Sequence, residues 1–215
     1  MSRKEKVFVI GLDGATFDLL LPWVKKGRLP SLSYLMENGA YGELRSTVPI
    51  LTPPAWSSFM TGKNPGKHGI IGFFAREDGS YIVKVMNSTH MSTKEMWTIL
   101  SENGKKVGIV NVPLTYPPKK VNGFMITGMM MTPPKSEKFT YPPPLKEEVK
   151  TVVGETTLDP LFTYLEREEV FINEVFNSTE KLAKISFFLI EKHNPDLFMV
   201  VFNGTDYIQH RFWKY

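Results

Sequence analysis

The sequence contains no cysteine among its 215 residues, and its one glutamine is Gln209. Without cysteine there can be no disulfide bond, no thiolate nucleophile and no cysteine metal ligand. Long apolar runs are also absent. The first run, "VFVIGL" at Val7–Leu12, is too short for the core of a signal peptide, and no later run is long enough to cross a membrane. We therefore expect a soluble, cytoplasmic protein with no membrane partner.

The charge of the chain is close to balanced. Its 26 Lys and Arg residues against 22 Asp and Glu residues give a net charge of +4. Apart from the opening "SRKEK" there is no basic cluster, and no nucleic-acid-binding motif is present. We therefore expect no nucleic-acid partner. A mildly basic surface suits an anionic small molecule equally well, so charge alone does not decide the class of function.

Three short apolar segments predict the strands of a parallel sheet. They are Val7–Leu12, Val107–Val112 and Leu197–Phe202, and their near-continuous β-branched and aromatic content is typical of strands buried on both faces. Helical patterns lie between them, at residues 18–26, 31–38, 93–103 and 168–193. Strands that alternate with helices predict an α/β doubly wound fold, here a single domain over residues 1–215. Two proline-rich stretches, 113–119 and 132–144, are expected to be surface loops and are candidates for the rim of a site.

Polar residues follow two of these predicted strands. Ligands of open parallel sheets bind outside the carboxyl ends of the strands, which is where Asp13 and Asp206 are expected. Asp206 and His210 are four residues apart, so in a helix they would face the same side. A carboxylate beside an imidazole is half of a tetrahedral zinc site, or part of a manganese or iron site. Asp13 could supply an oxygen to a second metal.

The segment "LTPPAWSSFMTGKNPGKHGI" at residues 51–70 is dense in proline and glycine. Pro53 disfavours the helical conformation at Thr52, and Pro54 suits a first helical turn. Thr52 is therefore predicted at or just before a helix N-terminus, where free N–H groups and the helix dipole favour an anion. A nearby divalent metal would lower the pKa of the Thr52 hydroxyl and make it a nucleophile.

Each of these residues also has an ordinary structural interpretation. Asp13 alone is more typical of a helix N-cap, and Thr52 before proline is more typical of a turn. His68 is expected to hydrogen-bond the backbone rather than a metal, and Lys63 and Lys67 are expected to be solvated. The glycines form neither a Walker loop nor G-x-G-x-x-G, which excludes those two nucleotide-binding motifs.

Taken together, the motifs resemble the type I phosphodiesterase/nucleotide pyrophosphatase family of the alkaline phosphatase superfamily. "VFVIGLDG" resembles the opening strand that ends in a metal-ligand aspartate, here Asp13. "TPPAWSSFMTGKNPGKHGI" resembles the segment that carries a nucleophilic threonine, here Thr52. "FNGTDYIQHRFW" resembles the later segment in which an aspartate and a histidine bind one metal, here Asp206 and His210.

The resemblance implies an alkaline-phosphatase-like, mostly parallel sheet with helices on both faces. It implies hydrolysis of a small phosphate-ester substrate, above all a phosphodiester, through a covalent phospho-enzyme on Thr52. The cofactors would be two divalent ions, with zinc expected and manganese or iron as alternatives. Asp13 and Thr52 would bind one ion, and Asp206 and His210 the other.

Two features depart from the family pattern. Phe73 and Phe74 follow "HGI" where nucleotide pyrophosphatases carry an asparagine that binds a phosphate oxygen. Asn111 or Asn203, each at a predicted strand end, is a candidate to replace it in substrate binding.

The second departure concerns the metal shell. The family completes it with an Asp-His pair and a further histidine, and no matching segment follows His210 in this chain. We therefore expect the N-terminal portion of a longer enzyme, or a degenerate form. We expect weak metal binding and little or no activity from this chain alone. We also expect self-association through apolar surface that the missing portion would cover. The alternative hypothesis is a vestigial, non-catalytic module that binds an anion or a protein.

Overall fold

A five-stranded, mostly parallel sheet forms the centre of the protein in a computed structural model. The structure describes residues 5–77, 79–128, 132–133, 136–154 and 167–214. The strands among these residues are β1 Val7–Leu12, β2 Phe74–Arg76, β3 Val83–Val85, β4 Val107–Val112, β5 Gly123–Thr127, β6 Thr140–Tyr141 and β7 Leu197–Phe202. The helices are α1 Phe17–Lys25, α2 Pro30–Asn38, α3 Thr52–Thr61, α4 Pro65–His68, α5 Met96–Glu102, α6 Leu145–Val153, α7 Glu168–His193 and α8 Gly204–Phe212, with a 3-10 turn at Ser88–His90.

The strand order of the sheet is β1-β7-β4-β5-β6. Neighbouring strands from β1 to β5 run parallel, and only β6 is antiparallel to its neighbour β5. Strands β2 and β3 form a separate antiparallel pair. The parallel pairing of β1 with β7 aligns Leu12 with Phe202, so the two chain segments leave the sheet side by side at their carboxyl ends. The predicted α/β class is confirmed, and the three predicted strands have the predicted bounds.

Helices cover both faces of the central strands. On one face Leu182, Ile185 and Leu189 of α7 pack with side chains of α6, β4, β5 and β7. On the other face Met60 of α3 and Trp97 of α5 pack on the same strands. Fully burying one such side chain contributes about 1.5–3 kcal/mol, so these two layers hold the sheet centre in place. No helix among the described residues is long and apolar enough to cross a membrane.

The predicted helix bounds differ from the observed ones mainly at α5. The pattern predicted a start at residue 93, whereas the helix begins at Met96. Glu95 is in an extended conformation just before it. The buried Glu95 carboxylate accepts hydrogen bonds from Lys119 at 2.6 Å and from the Thr98 hydroxyl at 2.9 Å. These tertiary contacts keep Glu95 at the N-cap position rather than inside the helix.

Strand β1 is an edge strand, and the prediction that all three apolar strands are fully buried is wrong for it. β4 is buried along its whole length, whereas four large apolar residues of β1 are 41–66% exposed: Val7, Phe8, Ile10 and Leu12. The reason is topological. Within the described residues β1 pairs only with β7, and the helices lie mainly over the middle strands.

Candidate functional site

A cavity of about 890 Å³ opens where β1 and β7 end and where α3 and α8 begin. Its polar lining comes from Asp13, Ser46, Thr52, Asp206, His210 and Arg211. Much of its apolar lining comes from Ile50, Leu51, Phe73, Phe171 and Tyr207. The structure therefore brings together the four residues that the sequence predicted as nucleophile and metal ligands.

Thr52 is the first residue of α3, as predicted. Leu51 precedes it in an extended conformation, and Pro53 and Pro54 are buried at the next two positions. Neither proline has an N–H group, and the Ala55 N–H already bonds to the Leu51 carbonyl at 3.1 Å. The expected cluster of free N–H groups is thus reduced to that of Thr52. Among the described residues neither the N–H nor the hydroxyl of Thr52 has a protein partner.

The loop after α3 holds this helix in place. The helix ends at Gly62, which is left-handed (φ 64°, ψ 22°) and donates its N–H to the Ser58 carbonyl at 2.9 Å. His68 is fully buried. Its Nδ1 accepts the Ile70 N–H at 3.1 Å, so the ring proton lies on Nε2, which faces the Ser58 hydroxyl at 2.9 Å. Burial lowers the pKa of His68. As predicted, His68 is a backbone-binding residue and not a metal ligand.

Asp13 is buried at the end of β1 and does not cap a helix. The N-cap of α1 is Thr16, whose hydroxyl accepts the Asp18 N–H at 3.3 Å, so the capping interpretation of Asp13 is wrong. The Trp56 indole donates to Asp13 Oδ1 at 3.2 Å. Asp13 Oδ2 is buried and has no hydrogen-bond partner among the described residues. Burial raises the pKa of Asp13, with a further rise from the nearby Asp206 carboxylate.

The turn after β1 is bonded directly to α8. The Thr205 hydroxyl donates to the Asp13 carbonyl at 2.5 Å, and the Gln209 amide donates to the Gly14 carbonyl at 2.6 Å. Gly14 has a left-handed φ of 71°, and a Cβ there would lie 2.9 Å from the Asp206 Cα. Only glycine lets the two segments approach this closely.

Asp206 and His210 lie on one face of α8, as their spacing predicted. Asp206 Oδ1 and His210 Nε2 are 3.4 Å apart. The Asp206 side chain is mostly buried, whereas that of His210 is 80% exposed. Burial raises the pKa of Asp206, and the neighbouring His210 offsets part of that rise.

The donor set fits a divalent cation in part. Carboxylate oxygens, one imidazole nitrogen and a hydroxyl are ligands that suit zinc, manganese or iron. The unpartnered Asp13 Oδ2 fits this role, because a buried carboxylate oxygen is costly unless something binds it. Among the described residues, however, no group of three His, Asp or Glu side chains converges on one point. Among the described residues, the pairs that the sequence predicted as ligands, Asp13 with Thr52 and Asp206 with His210, all line the one cavity.

Asn111 and Asn203 lie next to the cavity without lining it. Both are buried, and Asn111 Nδ2 donates to Asn203 Oδ1 at 2.9 Å and to the Val201 carbonyl at 2.8 Å. This pair ties together the ends of β4 and β7. A contact of either residue with substrate stays a prediction. Of the two phenylalanines after "HGI", Phe73 lines the cavity, while Phe74 lies exposed in β2.

Several residues of the site were not singled out from the sequence. Trp56 lies one helical turn after Thr52, and this spacing could have indicated that the two share a face. Thr205, Gln209 and Arg211 all belong to the first or last turns of α8 and carry no sequence signal of their own. None of the described residues of the two proline-rich stretches lines the cavity, so their place at its rim stays a prediction.

Comparisons with known proteins show the family of the chain and structures with a similar fold. The family model for type I phosphodiesterase / nucleotide pyrophosphatase matches residues 7–215. No curated protein matches significantly. Two solved structures with a similar fold are phosphonoacetate hydrolase from Sinorhizobium meliloti 1021 with phosphonoacetate (19% identity, TM-score 0.59) and with phosphonoformate (20%, 0.58). Each alignment covers 96% of this chain and 48% of the other, so the chain spans about half the length of those structures.

Proposed function

Because the chain belongs to the type I phosphodiesterase/nucleotide pyrophosphatase family, we propose that it hydrolyses phosphate esters, above all phosphodiesters, with Thr52 as the nucleophile. The observation that supports this proposal is the convergence of three distant segments. The Thr52 hydroxyl, the Asp13 carboxylate and the Asp206–His210 pair line one cavity. The sheet itself is held by other residues, the apolar clusters on its two faces.

The chemistry follows from where Thr52 lies. The Thr52 hydroxyl, at the start of α3, loses its proton as its oxygen attacks phosphorus. The bond from phosphorus to the leaving oxygen breaks, the leaving oxygen takes up a proton, and a phosphothreonine remains. Water then attacks the same phosphorus and releases Thr52. The free Thr52 N–H and the helix dipole favour the anionic phosphoryl group at this point. The rigid start of α3, fixed by two buried prolines, positions the nucleophile before substrate arrives.

Two divalent cations are part of the proposal, zinc in the first instance and manganese or iron as alternatives. When bound, such ions stabilise the attacking and the leaving oxygen of the displacement. Asp13 and Thr52 would hold one ion, with Asp13 Oδ2 as the free ligand atom, and Asp206 and His210 would hold the other. With two protein ligands each, both ions are expected to bind weakly, and the activity of this chain to be low.

The test compares three forms of the chain on an aryl phosphodiester and an aryl phosphomonoester, with zinc and with manganese. Thr52→Ala removes the nucleophile and should lower kcat by at least about 10³-fold. Thr52→Ser keeps a hydroxyl and should retain measurable turnover and a phosphorylated residue detectable by mass spectrometry. Equal rates well above the uncatalysed background for the wild-type and Thr52→Ala proteins would reject Thr52 as the nucleophile.

The second candidate function is a non-catalytic module that binds an anion or a protein partner. The absence of a three-ligand group among the described residues favours it. Near-stoichiometric zinc in the purified chain would contradict a vestigial site, and it would also contradict the weak metal binding expected above. A cytoplasmic location is also part of the proposal, and cell fractionation tests it.

A further inference from the structure

Arg211 lies in the wall of the cavity and has no ion-pair partner among the residues that the structure describes. It lies in the last turn of α8, and its side chain lines the same space as Thr52 and Asp206. Its Nε atom is buried and has no hydrogen-bond partner, and no carboxylate among the described residues forms an ion pair with it. A buried guanidinium nitrogen without a partner is unfavourable, so an anionic ligand would satisfy it.

The position of Arg211 separates it from the reaction centre. On α8, Asp206 and His210 form one row, and Tyr207 and Arg211 form the next row, about 100° around the helix. Tyr207 is buried against Phe171 of α7. Arg211 therefore belongs to the wall where α8 meets α7, whereas Thr52 belongs to the wall formed by α3.

The cavity is much larger than a phosphoryl group. Its volume of about 890 Å³ lies near the upper end of the range of about 300–1,000 Å³ for small-molecule sites. A phosphoryl group at Thr52 would leave most of this space for the rest of the substrate. The lining that Thr52 and Arg211 share also includes Phe171 and Tyr207, which favour an apolar or aromatic body.

We propose that Arg211 determines specificity by binding a second anionic group, carried by the part of the substrate beyond the scissile phosphate. The substrate class is a phosphate ester with an apolar body and a distal carboxylate or phosphate. The planar fork of a guanidinium binds either group through two parallel hydrogen bonds. The inference rests on the proposed function for the placement of the scissile phosphate at Thr52.

The experiment measures binding rather than turnover. Three non-hydrolysable probes are titrated into the chain by calorimetry: benzylphosphonate, its para-carboxylate and its para-phosphonate. The wild-type protein should bind the two charged probes about 10–100-fold more tightly than benzylphosphonate. Arg211→Met should abolish this preference, and Arg211→Lys should keep part of it. Arg28→Met removes an exposed arginine that does not line the cavity and should leave the preference intact.

Two results would overturn the inference. One is an unchanged preference in Arg211→Met. The other is an equal loss of affinity for all three probes, which would place Arg211 on the phosphonate that they share. Thermal unfolding checks that each variant is folded. If Arg211→Met does not fold, Arg211→Lys is compared with the wild-type protein instead. Thr52→Ala should keep the preference, so a failed nucleophile assignment and a failed anion site give different results.

Discussion

The Trp56 indole N–H donates a hydrogen bond to Asp13 Oδ1 at 3.2 Å, across 43 residues of sequence. The same indole ring packs against Gly11, where any side chain would collide with it. Helix α3, which begins with Thr52, is thereby docked onto the end of β1 through one residue. Thr52, the proposed nucleophile, and the Asp13 carboxylate are positioned by the same contact.

Trp56→Phe should weaken metal binding while keeping the aromatic packing. The substitution removes the donor that orients Asp13, and loss of such a partner typically costs about 10–100-fold in metal affinity. Calorimetric titration with zinc and with manganese measures it. Trp97→Phe is the matched control, because the buried Trp97 indole nitrogen has no partner among the described residues. If both variants lose affinity equally, the hydrogen bond to Asp13 is not the cause.

Gly14→Ala should destabilise the protein more than Gly27→Ala does. Both glycines have a left-handed φ, 71° and 68°, so both substitutions carry a similar backbone strain of about 1 kcal/mol. At Gly14 the new Cβ would lie 2.9 Å from the Asp206 Cα, whereas at Gly27 nothing lies within 4 Å. We expect an extra loss of about 1–3 kcal/mol for Gly14→Ala, measured by urea unfolding. Equal losses would mean that the turn and α8 can move apart freely.

The free energy of unfolding should fall in mildly acidic solution because of His68. Burial lowers the pKa of His68 in the folded state, so the unfolded chain binds the proton more readily. The stabilisation is then fully present above about pH 6.5 and is lost as the pH falls from there towards the folded pKa. His68 alone can change the free energy of unfolding by at most about 1.4 kcal/mol per pH unit.

The measurement for His68 is urea unfolding at about pH 7.5 and pH 5.5. His68→Gln cannot titrate, so its stability should change less between the two conditions than that of the wild-type protein. His68→Gln should also be less stable than the wild-type protein at both pH values, because it disturbs the hydrogen bonds of His68 with Ile70 and Ser58. An identical pH dependence in both proteins would show that the buried neutral imidazole is not responsible.

Self-association through β1 is a prediction that the exposure of this strand supports. Edge strands with exposed apolar side chains pair readily with other chains. Ile10 is 66% exposed, and the Ile10→Lys variant should self-associate less than the wild-type protein. Phe187→Lys is the matched control, since Phe187 is 69% exposed on α7 and away from the strand. Sedimentation over a range of concentrations measures both, and a monomeric wild-type protein would contradict the prediction.

Local sequence patterns by themselves determined several elements of this protein. The apolar segments specify β4 and β7 and their bounds, because continuous β-branched runs suit strands covered on both faces. Pro53 and Pro54 place Thr52 at the start of a helix through their own backbone geometry. The spacing of Asp206 and His210 puts both on one helical face. The resemblance of the same motifs to one family was confirmed over residues 7–215.

The tertiary structure decided what depends on contacts between distant segments. The sequence of β1 resembles that of a buried strand, and only the strand order makes it an exposed edge. Asp13 is typical of a helix cap in isolation, and only the approach of Trp56 and α8 makes it a buried carboxylate. One of its oxygens has no hydrogen-bond partner in the described parts of the chain. Arg211, which has no ion-pair partner within the described part of the chain, has no sequence signal either. The physical reason is the same in each case. The burial of a side chain and its hydrogen-bond or ion-pair partners depend on the packed chain, whereas secondary-structure propensity and residue spacing are properties of a segment.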